Sequence, residues 1–262
     1  MFPEFAESRF LHGTISRFVF HAEAQKLLRK ERFCAIITFM VDKHVNFFAL
    51  QKACEKPGCP LCTIINERID RYIDGMLFEH ISDRTFRAQY RAAGGFCNSH
   101  AEALLSYRDG LAVAILGRDT LQDYLADFKK KKIRKRKEIC PACAEQLRIE
   151  KEFLTFIAEA EDSKTAKTET AGNSEDIPLS EFFVKSQGLC IQHYAKLITY
   201  AKKVPKWLKT FQEDRFKALE ERTSRFIEYS AWGRQQDFET LSPADKVVWK
   251  ELAAALRGNV SH

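Results

Sequence analysis

Apolar residues recur at intervals of three and four along most of the chain, which is the period of an α-helix with one buried face. Two such stripes each follow a Cys-Pro-x-Cys sequence. The first consists of Ile65, Ile69, Tyr72, Ile73, Met76 and Leu77, and the second of Leu147, Phe153, Leu154 and Ile157. No segment alternates convincingly between apolar and polar residues as a strand would, so the sequence predicts an all-α protein.

Capping residues mark several of the predicted helix ends. Either residue of Ser82-Asp83 can cap a helix that Gly94-Gly95 would end, because glycine tolerates the left-handed backbone found at helix C-termini. Asp109-Gly110 suggests a break between two later helices. Ser242-Pro243 is typical of a helix start, with serine as the cap and proline at the first position, and Gly258 would stop this last helix.

The chain contains an internal duplication. Cys-Pro-x-Cys occurs at Cys59–Cys62 and again at Cys140–Cys143, and each copy is followed by Gly-x-Cys-x-x-His, at Gly95–His100 and Gly188–His193. The spacers between the paired motifs are 34 and 46 residues long. A polar segment over residues 161–176, which lacks large apolar side chains and is expected to be a disordered loop, accounts for the difference. Two copies in the same order indicate a repeated helical unit.

Three cysteines and a histidine are the donor set of a closed tetrahedral zinc site, whose ligands usually arrive as two short pairs. The sequence therefore predicts two zinc ions. In sequence order, one site would use Cys59, Cys62, Cys97 and His100, and the other Cys140, Cys143, Cys190 and His193. The pairs could also be exchanged between copies, with the first Cys-Pro-x-Cys joining the second Cys-x-x-His. With four protein ligands neither site keeps a position open for water, which favours a structural metal.

Three other interpretations of these cysteines stay open. They could be buried core residues beside helix starts, or thiol-redox pairs, because Cys-Pro-x-Cys at a helix start also lowers a thiol pKa in thioredoxin-like proteins. That motif normally follows a strand, and the pattern predicts none. The same donors could hold an iron–sulfur cluster, although zinc is preferred.

Charge and composition favour a globular protein with one basic patch. The formal net charge is +6, and much of it comes from the run Lys129–Lys137. Clustered lysine and arginine can bind nucleic acid through phosphates. A solvated helix end is the preferred interpretation, because cations are stabilised at helix C-termini and no aromatic residue interleaves the run.

The sequence offers no secretory signal, and its most apolar run, Phe33–Val41, is about half the length that crosses a bilayer. We therefore expect a cytoplasmic protein, a reducing environment in which paired cysteines more often hold metal than form disulfides. Cys34 and Cys54 have no partner at ligand spacing and are expected to be small buried residues. No catalytic zinc helix, nucleophile elbow or phosphate-binding loop is present, so an enzyme is not the favoured prediction.

The predicted organisation has four parts. Residues 1–39 are an extension, with Met40 as the expected natural start; residues 40–137 form the first metal-binding repeat and residues 138–204 the second. Residues 205–262 are expected to form helices that pack on the repeats.

The motifs resemble a bacterial family of proteins of unknown function, number 6062. The resemblance rests on the two Cys-Pro-x-Cys and Gly-x-Cys-x-x-His pairs, on Glu79, on the lead-in His44–Phe48 and on a final helix around Trp249. It covers Asp42 to Gly258, and the residues before Met40 depart from it. The resemblance implies a cytoplasmic bacterial protein and brings no activity, substrate or catalytic residue.

The functional prediction is a zinc protein whose metal is structural and which serves as a binding or scaffold module for an unidentified protein partner. The alternatives are a thiol-redox or metal-handling protein that uses the same cysteines, and a nucleic-acid binder that uses Lys129–Lys137.

Overall fold

The structure, a computed structural model, describes residues 45–131, 133, 138–160 and 178–258. The chain divides into a unit over Met1–Phe47 and a unit over Phe48–His262, and the second holds every described residue except 45–47. The predicted extension over residues 1–39 and the predicted loop over residues 161–176 lie outside the described residues. So does most of the basic run beyond Lys131.

All regular elements within these ranges are helical, so the all-α prediction is confirmed. The helices are α1 (residues 45–54), α2 (Pro60–Gly75), which continues as a π-helical turn (Met76–His80), α3 (Arg84–Ala93), α4 (Asn98–Ser106), α5 (Gly110–Lys129), α6 (Pro141–Ala158), α7 (Leu179–Phe183), α8 (Ile191–Tyr200), α9 (Lys206–Tyr229), α10 (Gln235–Thr240), a 3₁₀ turn (Asp245–Val247) and α11 (Val248–Arg257). Among them, no helix combines the length and apolar character needed to cross a membrane.

The core lies between α2 and α6, the two helices that follow the Cys-Pro-x-Cys motifs. They pack against each other through stripes of fully buried side chains. The stripes are Ile65, Ile69 and Ile73 on α2, and Ile149, Phe153 and Ile157 on α6. Each such side chain contributes about 1.5–3 kcal/mol relative to an exposed one, so this contact is a major source of stability.

The caps predicted for α3 are present. Asp83 accepts a hydrogen bond from the backbone N–H of Thr85 at 2.7 Å, and α3 ends at Gly94 with φ +76°. Asp109 caps α5 by accepting from the N–H of Ala112 at 3.0 Å. The cap predicted for the last helix is wrong. Ser242 accepts from the N–H of Asp245 at 3.1 Å, which starts a 3₁₀ turn, and the α-helical part begins only at Val248, after Val247, which makes no side-chain cap bond.

The last helix, α11, packs on α8. α11 contacts both α8 and α9, and Arg222 on α9 joins it by ion pairs to Asp245 at 2.6 Å and Glu251 at 2.7 Å. This arrangement brings the end of α11 to the start of α8, which is where one of the cysteine clusters lies.

Candidate metal centres

Each of four helices begins at a candidate ligand. Cys59, Cys97, Cys140 and Cys190 occupy the N-cap positions of α2, α4, α6 and α8. The second ligand of each pair, three residues later, lies on the first turn of the same helix. The unpaired amide groups and the positive dipole end of a helix N-terminus favour negative charge, so these positions stabilise thiolates.

The eight side chains form two clusters, and the motifs are exchanged between the copies. Site A combines Cys59 and Cys62 with Cys190 and His193; site B combines Cys140 and Cys143 with Cys97 and His100. Within each site the four donor atoms lie within 4.8 Å of one another. The sequence-order pairing is therefore not the one that the structure adopts, and the exchanged alternative is.

The donor distances in site A match a tetrahedral zinc site. Three sulfurs lie 3.3–3.4 Å from Nδ1 of His193, and the Sγ atoms of Cys62 and Cys190 are 3.8 Å apart. Zinc bond lengths imply tetrahedron edges of about 3.8 Å between two sulfurs and about 3.6 Å between sulfur and nitrogen. The four side chains therefore fit one zinc-sized cation.

Site B has similar dimensions. The three sulfurs lie 3.2 Å (Cys97), 3.6 Å (Cys140) and 3.4 Å (Cys143) from Nδ1 of His100, and the Sγ atoms of Cys97 and Cys143 are 3.6 Å apart. These values also lie near the edges of a tetrahedron around zinc.

The two sites differ in exposure. All four residues of site A are at most 5% exposed. In site B, His100 and Cys140 are buried, whereas Cys97 and Cys143 are partly exposed. Solvent and small molecules therefore reach the sulfurs of site B more readily.

A buried carboxylate orients the histidine of site A. Oε1 of Glu150 lies 3.1 Å from Nε2 of His193, on the side of the ring that faces away from the sulfurs. Nζ of Lys196 donates to both oxygens of Glu150, at 2.6 and 2.9 Å. Burial raises the pKa of the Glu150 carboxyl, but the bonds from His193 and Lys196 outweigh it and the pKa is lowered. A carboxylate in this position fixes the ring and strengthens the imidazole as a ligand.

Sequence reasoning missed Glu150. The available signal was its place in the apolar stripe of α6, between Ile149 and Phe153, because a charged residue at a core position needs a partner. It also lies seven residues after Cys143. The equivalent residue of the first copy, seven after Cys62, is Ile69, which cannot accept a hydrogen bond.

Without metal, charge in site A concentrates on one sulfur and one ring. Burial lowers the pKa of His193, but bonds to Cys190, Cys62 and Glu150 raise it to about 11. Hydrogen bonds from Cys59 and Cys62 lower the pKa of the Cys190 thiol, whereas burial raises that of Cys59. The lowered pKa of Cys190 and the raised pKa of His193 favour a thiolate beside an imidazolium in the metal-free site, and a metal ion must displace protons to bind.

In site B, as in site A, the pKa of one thiol is lowered and that of another is raised. Burial and the neighbouring Cys97 raise the pKa of Cys143 to about 12. Burial also disfavours the Cys97 thiolate, but hydrogen bonds from the backbone of His100 and from Cys143 and Cys140 lower its pKa. Again one sulfur is the preferred anion.

Comparison with known proteins identifies the family of this chain. The profile of a family of unknown function (DUF6062) matches residues 45–235, which include all eight ligands of both clusters. The chain belongs to this family. It is also 31% identical over 93 residues to an uncharacterised 23.9 kDa protein in the xynA 3′ region of Caldicellulosiruptor sp. (strain Rt8B.4). That match covers 34% of this chain and 45% of the relative. No solved structure matches the chain.

A glutamine side chain on α9 holds the loop that presents Cys190. The fully buried Gln212 accepts from the N–H of Leu189 at 2.8 Å and donates to its carbonyl at 2.9 Å. Gly188 precedes this peptide with φ +71°, and a Cβ there would lie 2.8 Å from Oε1 of Gln212. The backbone can approach this amide only because residue 188 is glycine.

Two further contacts close site A. The N–H of Gly58 donates to Oε1 of Gln187 at 2.9 Å, which links the first Cys-Pro-x-Cys motif to the loop before the second Cys-x-x-His motif. Gly258, at the end of α11, lies over the sulfurs, because a Cβ at this position would be 3.1 Å from Sγ of Cys62 and 3.2 Å from Sγ of Cys190. Gly258, which the sequence predicts as the end of the last helix, therefore also covers site A.

Of the two cysteines without a ligand partner, Cys54 is 7% exposed, and burial raises the pKa of its thiol to about 12. This agrees with the expected small buried residue. Cys34 lies outside the described residues.

Proposed function

We propose that this protein binds two structural zinc ions, one in site A and one in site B, and serves as a helical binding or scaffold module. The observation that carries the proposal is the pair of Cys3His clusters with donor distances near the edges of a zinc-centred tetrahedron. Thiolate and imidazole donors suit zinc, and four protein donors leave no position for a reacting water. We place the protein in a reducing compartment, as the cytoplasmic prediction expects, since metal competes well with disulfides there.

The exchange of motifs gives the metal ions a specific structural role. Site A joins residues 128 positions apart and site B residues 46 apart, and each ion would link the first copy to the second. A bound ion therefore restricts a long stretch of the unfolded chain, and its binding free energy becomes folding free energy.

The partial exposure of Cys97 and Cys143 supports a second candidate, a metal-handling or thiol-redox role confined to site B. Exposed thiolates exchange metal and react with oxidants more readily than buried ones. Under this candidate site A holds the fold together and site B is the working site.

Elemental analysis of the purified protein, combined with a thiol count under native conditions, tests both candidates. Two zinc ions per chain and thiols that react only after denaturation support the structural role. One firmly held ion, with the second lost to a mild chelator while the cysteines of site B become reactive, supports the second candidate. A metal-free protein with readily oxidised pairs would overturn both and support the thiol-redox alternative that uses the cysteines of both motifs, and a brown, air-sensitive protein would indicate an iron–sulfur cluster instead.

Nucleic-acid binding remains a prediction for the basic run. Lys129, Lys130 and Lys131 are exposed at the end of α5. Steeply salt-dependent binding to DNA or RNA that disappears when Lys129, Lys130 and Lys131 are changed to Glu would support it.

A further inference from the structure

The inner side of α5 carries buried carboxylates beside the buried Ala112 and Leu116, and its outer side exposes a row of apolar residues interrupted by Arg118. On the inner side, Nε of Arg87 on α3 donates to Asp119 at 2.7 Å, and Nη2 of Arg91 donates to Asp123 at 2.6 Å. Asp119 is 6% exposed and Asp127, further along the same side, 7%. A surface helix ordinarily has the opposite arrangement, with carboxylates outside.

The outer side of α5 is an apolar stripe. Leu111 is 72% exposed, Leu121 56%, Leu125 49% and Phe128 56%. With Ala114 and Arg118 they recur at alternating intervals of three and four, so they share one face over the whole helix. This is the spacing of a seam against which a second helix packs.

Gly117 leaves room for a second element beside this face. It lies in the middle of α5, where glycine is unfavourable relative to alanine, and a Cβ there would meet no atom within 4 Å. No neighbour within the part of the chain that the structure describes therefore requires a glycine. Together with Ala114 it leaves a shallow notch halfway along the stripe.

We propose that two copies of this protein pair antiparallel through the outer face of α5. The stripe is complementary to itself about Arg118: Leu111 meets Leu125 of the second copy, and Leu121 packs on its Ala114. This register puts Arg118 at the twofold axis beside Arg118 of the second copy. Each guanidinium lies 3.6 Å from its own Asp119, which offsets its charge, and extends over the notch at Gly117 of the second copy. Such a twofold contact is closed and uses the same patch on both partners.

Charge selects the antiparallel arrangement. α5 ends in the exposed Lys129 and Lys130 and begins at the exposed Asp109. An antiparallel pair brings these lysines to Asp109 of the second copy and opposes the two helix dipoles, whereas a parallel pair would put like charges together. The exposed area of the stripe is roughly 600 Å² per copy, so the pair would bury about 1,200 Å², the lower limit of specific interfaces. A dimer that dissociates at micromolar concentration is the expected result.

Sedimentation and light-scattering measurements on the full, metal-loaded chain test the proposal. The wild type should be a dimer at about 100 µM and dissociate towards about 1 µM, the range expected for a micromolar Kd. Leu121→Glu combined with Leu125→Glu should give a monomer at all these concentrations, with unchanged helicity and zinc content. Ile227→Glu, a control at a site 65% exposed on α9, should remain dimeric.

Gly117→Leu separates this interface from a structural role of α5. The isolated chain has room for the new side chain and gains helix propensity, so the variant should be at least as resistant to urea as a wild-type monomer. It should nevertheless be monomeric, because leucine fills the notch. A wild type that stays monomeric at about 100 µM, or variants that stay dimeric, would overturn the proposal, and a monomeric wild type would leave the face to another segment or another protein. Zinc content is measured separately, so failure here does not affect the proposed function.

Discussion

Two double variants distinguish the exchanged pairing from the sequence-order pairing. Cys59 and Cys190 belong to one site in the structure, but to different sites in sequence order. Cys59 and Cys97 belong to different sites in the structure, but to one site in sequence order. Cys59→Ser with Cys190→Ser should therefore keep one tightly bound zinc ion per chain, and Cys59→Ser with Cys97→Ser should keep none.

The expected stability changes follow from the same geometry. An ion present at about 1,000 times its dissociation constant stabilises the folded chain by about 4 kcal/mol. The first double variant loses this contribution once and the second loses it twice, which approaches the whole of a typical stability of about 5–15 kcal/mol. In the first variant the second substitution should cost little beyond the first, because the site is already lost and the two effects are not additive.

Zinc stoichiometry by elemental analysis after chelator washing, together with urea denaturation, provides the assay. The single variants Cys59→Ser, Cys97→Ser and Cys190→Ser serve as controls, and each should retain one ion. If the stoichiometries of the two double variants are reversed, the pairing argued from the structure is wrong. If both retain two ions, the ligand assignment itself is wrong.

Three further predictions concern the surroundings of site A. Glu150→Gln removes the charge beside Nε2 of His193, so zinc affinity at site A should fall about 10–100-fold in chelator competition; an equal fall at site B would contradict this. Gln212→Ala leaves the two buried backbone groups of Leu189 without their partner and should lower the free energy of unfolding by about 2–4 kcal/mol. Gln192→Ala, the exposed control whose bond to a backbone carbonyl is 3.4 Å long, should change the free energy of unfolding by less than about 0.5 kcal/mol. In metal-free protein the raised pKa of His193 contributes stability that is complete below pH 6.5 and is lost as pH rises towards about 11. The lowered pKa of its partner, the Cys190 thiol, contributes stability that is complete above pH 9.0 and is lost as pH falls. The lowered pKa of Cys97 in site B also adds stability as pH rises towards 9.0, so the test uses the Cys97→Ser variant. Its urea denaturation in chelator should show a plateau between pH 6.5 and 9.0 with lower stability on both sides, and a steady slope across that window would contradict the ion pair.

Local features of the fold could be predicted from the sequence because their causes are local. The period of the apolar residues indicated α2 and α6, the capping oxygen of Asp83 marked the start of α3, and the glycine at residue 94 marked its end. Caps and amphipathic faces depend on side chains within a few residues of one another, so they can be recognised without the rest of the molecule.

The surroundings of the sites could not be predicted in this way. Gln212 reaches Leu189 from a helix that begins beyond the second repeat, and Gly258 reaches two sulfurs from the end of the described chain. Glu150 was visible only as a charged residue at an apolar position, with no indication of which histidine it would contact. Each of these contacts joins segments that no spacing rule connects.

By itself, the sequence determined which residues could be ligands, because the donor chemistry and the spacing of three within each motif are properties of the chain. Only the tertiary structure decided which motifs share a site. The two copies have identical donors, so either pairing satisfies the same coordination chemistry. The choice depends on how α2 packs against α6, because this packing brings the Cys-Pro-x-Cys motif of each copy to the histidine of the other. The outward apolar face of α5 was decided in the same way, since the burial of an amphipathic helix depends on which neighbour it finds.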